Sequence, residues 1–235
     1  MRRSMDGCCP IVELRQYELR PGQRDVLIEL FDRELVESQE AVGMQLIGQF
    51  RDLDRPDHFV WLRGFADMEH RRQSLEAFYG GPVWKAHRDA ANATMIDSDD
   101  VLLLRPLPST AGFDPLPARP APGVQIPAAV VAVTICSLDG PVDVVTVERE
   151  LLPALATAGS PPLAMFVEEA SENTFPALPV RTGEHVLVWI QRVSTRQSLE
   201  AQLRASSEIA RDLLPTLIAA PVRLRLQPTP RSRLR

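Results

Sequence analysis

Two periods of apolar residues alternate along the chain: every second position in short runs, which marks strands, and every third or fourth in longer ones, which marks amphipathic helices. Residues 11–19 predict a strand. Pro21-Gly22 turns it into a helix over 23–42, whose Val26, Leu27, Leu30, Phe31 and Leu35 form one stripe, and Gly43 stops it. Strands follow over 44–50 and 58–65, separated by a polar hairpin loop at 52–57. Helical segments cover 67–79 and 82–94, split by Gly80-Gly81-Pro82, and a fourth strand closes over 100–105. The pattern then restarts: strand 129–138, turn Gly140-Pro141, helix 142–158, strands 163–170 and 185–193, helix 195–217, strand 222–227.

The restart is a repeat. Asp57-His58-Phe59-Val60-Trp61-Leu62 precedes Arg72-Gln73-Ser74-Leu75-Glu76-Ala77, and Glu184-His185-Val186-Leu187-Val188-Trp189 precedes Arg196-Gln197-Ser198-Leu199-Glu200-Ala201. Each half reads β-α-β-β-α-β, the ferredoxin-like order, so the expected class is α+β with two tandem ferredoxin-like modules. Both helices of such a module cover one sheet face and leave the other bare, which is unstable in water. Two modules can bury those faces against each other as an α+β barrel within one chain.

Seven of the 21 prolines lie between Pro106 and Pro127, a stiff stretch without either apolar period. The expected organisation is a first module over 1–106, a proline-rich linker over 107–127, a second module over 128–227 and a flexible tail over 228–235. Composition narrows function by exclusion. A net charge of −5 offers no basic field for nucleic acid. No apolar run approaches the ~20 residues of a membrane span, and the start has no signal-like core, so a cytoplasmic protein is expected. Cys8, Cys9 and Cys136 have neither disulfide-framework nor zinc-site spacing. The two adjacent cysteines are expected in a mobile N-terminus.

Glu13-Leu14-Arg15-Gln16-Tyr17-Glu18-Leu19-Arg20-Pro21-Gly22 and the run from Phe78-Tyr79-Gly80-Gly81-Pro82-Val83-Trp84-Lys85-Ala86-His87-Arg88 to Asp97-Ser98-Asp99-Asp100-Val101-Leu102-Leu103-Leu104-Arg105-Pro106 resemble the NIPSNAP family of the dimeric α/β-barrel superfamily. The resemblance covers roughly 11–106; the second half keeps the element order without these motifs. It implies a barrel fold. By superfamily analogy it also raises cofactor-free monooxygenase, isomerase, cyclase or lyase chemistry inside that barrel, and haem binding.

Side chains alternate along a strand, so Glu13, Arg15 and Tyr17 share one face, and Val12, Leu14 and Gln16 the other. With the helices expected on the apolar face, the acid, guanidinium and phenol point into the barrel. There they can polarise a carbonyl or phenolate, with Glu13 or Tyr17 moving a proton. The alternative is a satisfied ion pair and a packed tyrosine. Aligning the first strands sets Val130, Ala132 and Thr134 opposite these three, so a polar site belongs to the first half only. Phe59, Trp61, Arg63 and Phe65 share a strand face, where Arg63 can bind an anion or stack on a ring, or be a solvated charge at a strand end. His87, within the family motif, is the candidate proton shuttle or, by analogy, haem ligand. The leading expectation is a small-molecule enzyme or binder for an apolar or aromatic, conceivably biosynthetic, compound in the barrel cavity, needing no cofactor and no metal. The rival is a non-catalytic binding or scaffold protein. Exposed sheet edges make a homodimer plausible.

Overall fold

The computed structural model describes residues 9–107, 110, 113, 115–125, 129–193 and 196–235, with residues 196 and 197 described by backbone alone. Cys8, Pro108, Gly112, Pro127 and Thr195 lie outside the described residues. The first half contributes β1 (Ile11–Leu19), α1 (Arg24–Leu30), α2 (Val36–Glu40), β2 (Gln45–Asp52), β3 (His58–Phe65), α3 (Met68–Tyr79), α4 (Pro82–Thr94) and β4 (Met95–Pro106). The second contributes β5 (Val130–Leu138), α5 (Val144–Thr146), α6 (Leu152–Thr157), β6 (Ala164–Glu168), β7 (His185–Val193), α7 (Arg196–Leu213) and β8 (Val222–Pro228). Among the described residues no helix is long and apolar enough to cross a membrane.

Eight antiparallel strands close into one barrel in the order β1-β3-β2-β8-β5-β7-β6-β4. Within each half the order is fourth, first, third, second, and each joint pairs the second strand of one half with the fourth strand of the other. The joints are short: Phe50 to Asp52 pair with Pro228 to Leu226, and Leu104 to Pro106 with Glu168 to Phe166. Closure removes the free edges that two separate sheets would expose to aggregation.

The first helix of each half carries a π-helical turn at the same place, Phe31-Asp32-Arg33-Glu34-Leu35 between α1 and α2 and Val147-Glu148-Arg149-Glu150-Leu151 between α5 and α6. Phe31, Leu35, Val147 and Leu151 are buried. The wider turn thus seats two apolar side chains on the sheet in either half. Gly43, at φ +95°, ends the first helix in a conformation that a side chain would strain.

Every strand sends apolar residues into the barrel: Val12 and Leu14, Ile47 and Phe50, Val60 and Leu62, Leu102 and Leu104 from the first half. Val131 and Val133, Ala164 and Phe166, Val186 and Val188, Leu224 and Leu226 complete it from the second. This interior is an apolar core of buried side chains. It corrects the expected sidedness, because Val12 and Leu14 point inward while Glu13, Arg15 and Tyr17 point outward, under the helices of their own half. Both strand faces are buried, so alternation alone could not tell them apart.

The terminal segments also differ from expectation. Thr229, Arg231, Ser232 and Leu234 are buried, and the backbone runs on beside β2 through Thr229 N to Gln49 O (2.8 Å) and Leu234 N to Ile47 O (3.0 Å), so the tail is packed rather than flexible. Arg119 of the linker ties it down: its guanidinium donates to Arg231 O at 2.6 Å, Leu46 O at 2.7 Å and Glu40 Oε1 at 2.6 Å. Cys9, expected in a mobile terminus, is buried in the barrel core.

Candidate functional site

Alternation on β1 places Glu13, Arg15 and Tyr17 on the helix-facing side, and the β1–β3 register sets Glu13 beside Arg63 and Arg15 beside Trp61. The carboxylate of Glu13 is the hub. Its Oε2 accepts from Arg15 Nη1 at 2.8 Å and Arg63 Nε at 2.7 Å, and its Oε1 accepts from Arg71 Nε on α3 at 2.7 Å. All four side chains are at most 1% exposed. Burial alone would raise the Glu13 pKa, but Arg63, Arg15 and Arg71 hold it far below the usual carboxylate range.

Three guanidiniums thus share one carboxylate, an excess of two buried positive charges among the described residues. Neutral groups complete part of the shell. Arg63 Nη1 donates to Gln39 Oε1 at 3.1 Å, and Arg71 Nη1 donates to Asn173 Oδ1 at 3.0 Å and Thr174 Oγ1 at 3.3 Å. Arg63 Nη2 and Arg71 Nη2 are buried without a partner among the described residues. Rings carry the rest: the Arg63 guanidinium carbon lies 5.0 Å from the Trp61 ring centre and 5.6 Å from that of Phe65. Arg63 is therefore no solvated strand-end charge.

Arg15 Nε donates to Tyr17 Oη at 3.0 Å. Burial raises the Tyr17 pKa against the pull of Arg15, so the phenol keeps its proton at neutral pH and can donate it. Tyr17, Gln39 and Trp61 border a gap of about 30 Å³, closed on the helix side by Phe78, Tyr79 and Trp84. Phe59 lies beside it in the same aromatic cluster, 6.4 Å from Tyr17 between ring centres. Glu13, with both oxygens engaged by arginines, is built as a counter-ion and not as the proton carrier the sequence suggested.

His87 is not part of the cluster. It is part-exposed on α4, its Nε2 3.6 Å from Glu34 Oε2. Trp84, one turn earlier, borders the 30 Å³ gap, a space far smaller than a haem. Among the described residues no three metal-ligating side chains gather.

Four participants escaped sequence reasoning: Gln39, Arg71, Asn173 and Thr174. Arg71 had a usable signal, since it directly precedes the repeated Arg-Gln-Ser-Leu-Glu-Ala and falls where the second copy has Thr195. Asn173 and Thr174 had none. They belong to the segment between β6 and β7, which crosses from the second half onto the first. Phe175 stacks on Tyr79 at 5.8 Å, and Thr174 Oγ1 donates to Met68 O at 3.2 Å.

The registers also correct the internal alignment. Trp61 pairs with Arg15 and Trp189 with Thr134, so the counterparts of Glu13, Arg15 and Tyr17 are Ala132, Thr134 and Cys136, two residues along from those expected. Gln191 takes the place of Arg63.

A buried Glu-Arg-Tyr strand followed by the Tyr79–Arg88 motif runs through the first half, and residues 12–110 match the NIPSNAP family. The NIPSNAP match thus lies in this half. No curated protein sequence matches the chain. Solved structures resemble the whole barrel. The "putative monooxygenase" of Fusobacterium nucleatum is 7% identical with a TM-score of 0.58, covering 94% of this chain and 92% of its own. That of Lactobacillus acidophilus is 13% identical with a TM-score of 0.55, covering 94% of each chain. An anthrone oxidase-like protein is 13% identical with a TM-score of 0.53, covering 93% and 91%. At these identities the likeness is one of fold. The half matched to NIPSNAP is the half that holds the arginine cluster.

Proposed function

We propose that the protein is a small-molecule enzyme or binder whose ligand is an aromatic compound carrying an acidic oxygen, held between the sheet and helices of the NIPSNAP module rather than in the barrel. The observation that carries this reading is the excess of two buried positive charges, with Tyr17, hydrogen-bonded to Arg15, and Gln39, hydrogen-bonded to Arg63, lining an aromatic gap. A buried charge without a partner is costly, and an anionic oxygen would satisfy the free N–H groups of Arg63 and Arg71. Arg15, Arg63 and Arg71 would stabilise an enolate or phenolate, and Tyr17 would exchange a proton with it. An enolisable aromatic ketone, of the anthrone kind named for one fold neighbour, suits both roles. Entry requires the wall of Phe78, Tyr79 and Trp84 to part from Phe175. The shared strand order supports reading the chain as two tandem ferredoxin-like modules, the second supplying the cap over the first's site.

The test is titration with 1-naphthoate and with its neutral analogue 1-naphthalenemethanol, followed by tryptophan fluorescence. Saturable naphthoate binding, weakened at least tenfold in Arg71→Ala and absent for the alcohol, is expected. Equal response to both compounds, or none to either, returns the cluster to a structural role.

A further inference from the structure

A second cavity lies elsewhere, where the linker and the tail meet the first helix. At about 750 Å³ it is within the size range of small-molecule sites. Four segments wall it: the first helix from α1 through its π turn to Glu37 of α2, Arg51 of β2, Pro122-Gly123 of the linker, and Pro230-Arg231 of the tail. Arg119 clamps linker and tail to α2 and β2 through part-buried hydrogen bonds. Two segments that the sequence read as spacer and loose end are thus fixed as walls.

The cleft's charges pair off with one exception. Arg51 Nε donates to Asp25 Oδ1 at 2.8 Å, Arg33 Nη1 donates to Glu29 Oε1 at 3.2 Å, and Arg231 pairs with Glu37. The remaining carboxylate, Asp32, has no cation within salt-bridge distance among the described residues. Its Oδ1 accepts only a long hydrogen bond from Thr229 Oγ1, 3.4 Å. The π turn presents Asp32 to the cleft beside Ile28, Pro122 and Pro230, which supply the apolar surface. We propose that this cleft binds a small organic cation with an apolar body, its positive group paired with Asp32.

Burial supports this by raising the Asp32 pKa to about 6, against the opposing pull of Arg231 from the tail, Arg51 from β2 and Arg119 from the linker. A bound cation would offset that burial cost, so binding should strengthen as pH rises through 6. The other carboxylates facing the cleft, Asp25, Glu29 and Glu37, are already paired with Arg51, Arg33 and Arg231.

The experiment uses the full chain and berberine, a planar aromatic quaternary cation that brightens in apolar sites and does not titrate. Expected are saturable binding at pH 7.5, about tenfold weaker binding at pH 5, and an Asp32→Asn variant that binds about tenfold more weakly at pH 7.5 and loses the pH dependence. Circular dichroism confirms that the variant is folded. Asp89→Asn, on an exposed side chain of α4 outside the cleft, should stay within twofold of the parent, and saturating 1-naphthoate should not displace berberine, which separates this cleft from the arginine cluster. No saturable binding, unchanged affinity in Asp32→Asn, or displacement by naphthoate overturns the proposal.

Discussion

The sheet–helix layers of the two halves solve one packing problem with different chemistry. On the first strand, Glu13, Arg15 and Tyr17 in one half answer to Ala132, Thr134 and Cys136 in the other, and Arg63 answers to Gln191. The second half needs only a small neutral network, with Gln191 Nε2 donating to Ser160 O and Ser206 Oγ donating to Gln191 Oε1. Cys136 is an inert core thiol, its pKa pushed up to about 12 by burial. Strand order, π turn and buried tryptophan are the same in both. The fold therefore does not require the charges. Burying three guanidiniums on one carboxylate is a poor way to gain stability, so the first half carries them for another reason.

The largest effect that can break this comparison is at the hub. Glu13→Gln leaves three buried guanidiniums without a counter-ion and should cost about 3–5 kcal/mol in urea unfolding. Giving the first half the neutral residues of the second, Glu13→Ala, Arg15→Thr, Tyr17→Cys, Arg63→Gln and Arg71→Thr together, should bring stability back to within about 2 kcal/mol of the parent while naphthoate binding stays lost. A combined variant as unstable as Glu13→Gln would mean that the charges belong to the fold after all. The acid limb offers the same contrast. Because the Glu13 pKa is lowered in the folded state, its contribution is present above the unfolded value of about 4.5 and fades as pH falls below it. The parent should lose stability there more steeply than the combined variant.

A middle-sized effect concerns the cap. Asn173→Ala removes an acceptor from Arg71 and should cost about 1–2 kcal/mol, with weaker naphthoate binding although the residue belongs to the second half. Unchanged binding would show that the halves do not share the site. The smallest effect is at His87, where replacement by Ala breaks only a part-exposed pair with Glu34. It should change stability by less than about 0.5 kcal/mol and leave naphthoate affinity as it is.

Much of the architecture was legible because it is written in local periods. The strand and helix order, its recurrence around Trp61 and Trp189, and the need to cover two bare sheet faces all follow from residue spacing. Trp84 and Tyr79 were within reach as parts of a family motif, yet their role as a wall of the gap was not. Arg63 looked like a strand-end charge because solvent exposure cannot be read from a strand in isolation. Arg71, 58 residues from Glu13, and Asn173, 102 residues beyond Arg71, enter the site through contacts that no sequence period records.

The sequence by itself determined that Glu13, Arg15 and Tyr17 share a face, that the second half lacks their charges, and that two halves of like element order are joined by a proline-rich strap. Only the tertiary structure decided which face looks into the barrel and what covers the other. In a closed barrel wrapped by helices, both faces of β1 lose water equally, so burial cannot choose between them. The choice falls to partners: Val12 and Leu14 meet apolar residues from the whole barrel, whereas Glu13 meets its arginines only beneath its own helices.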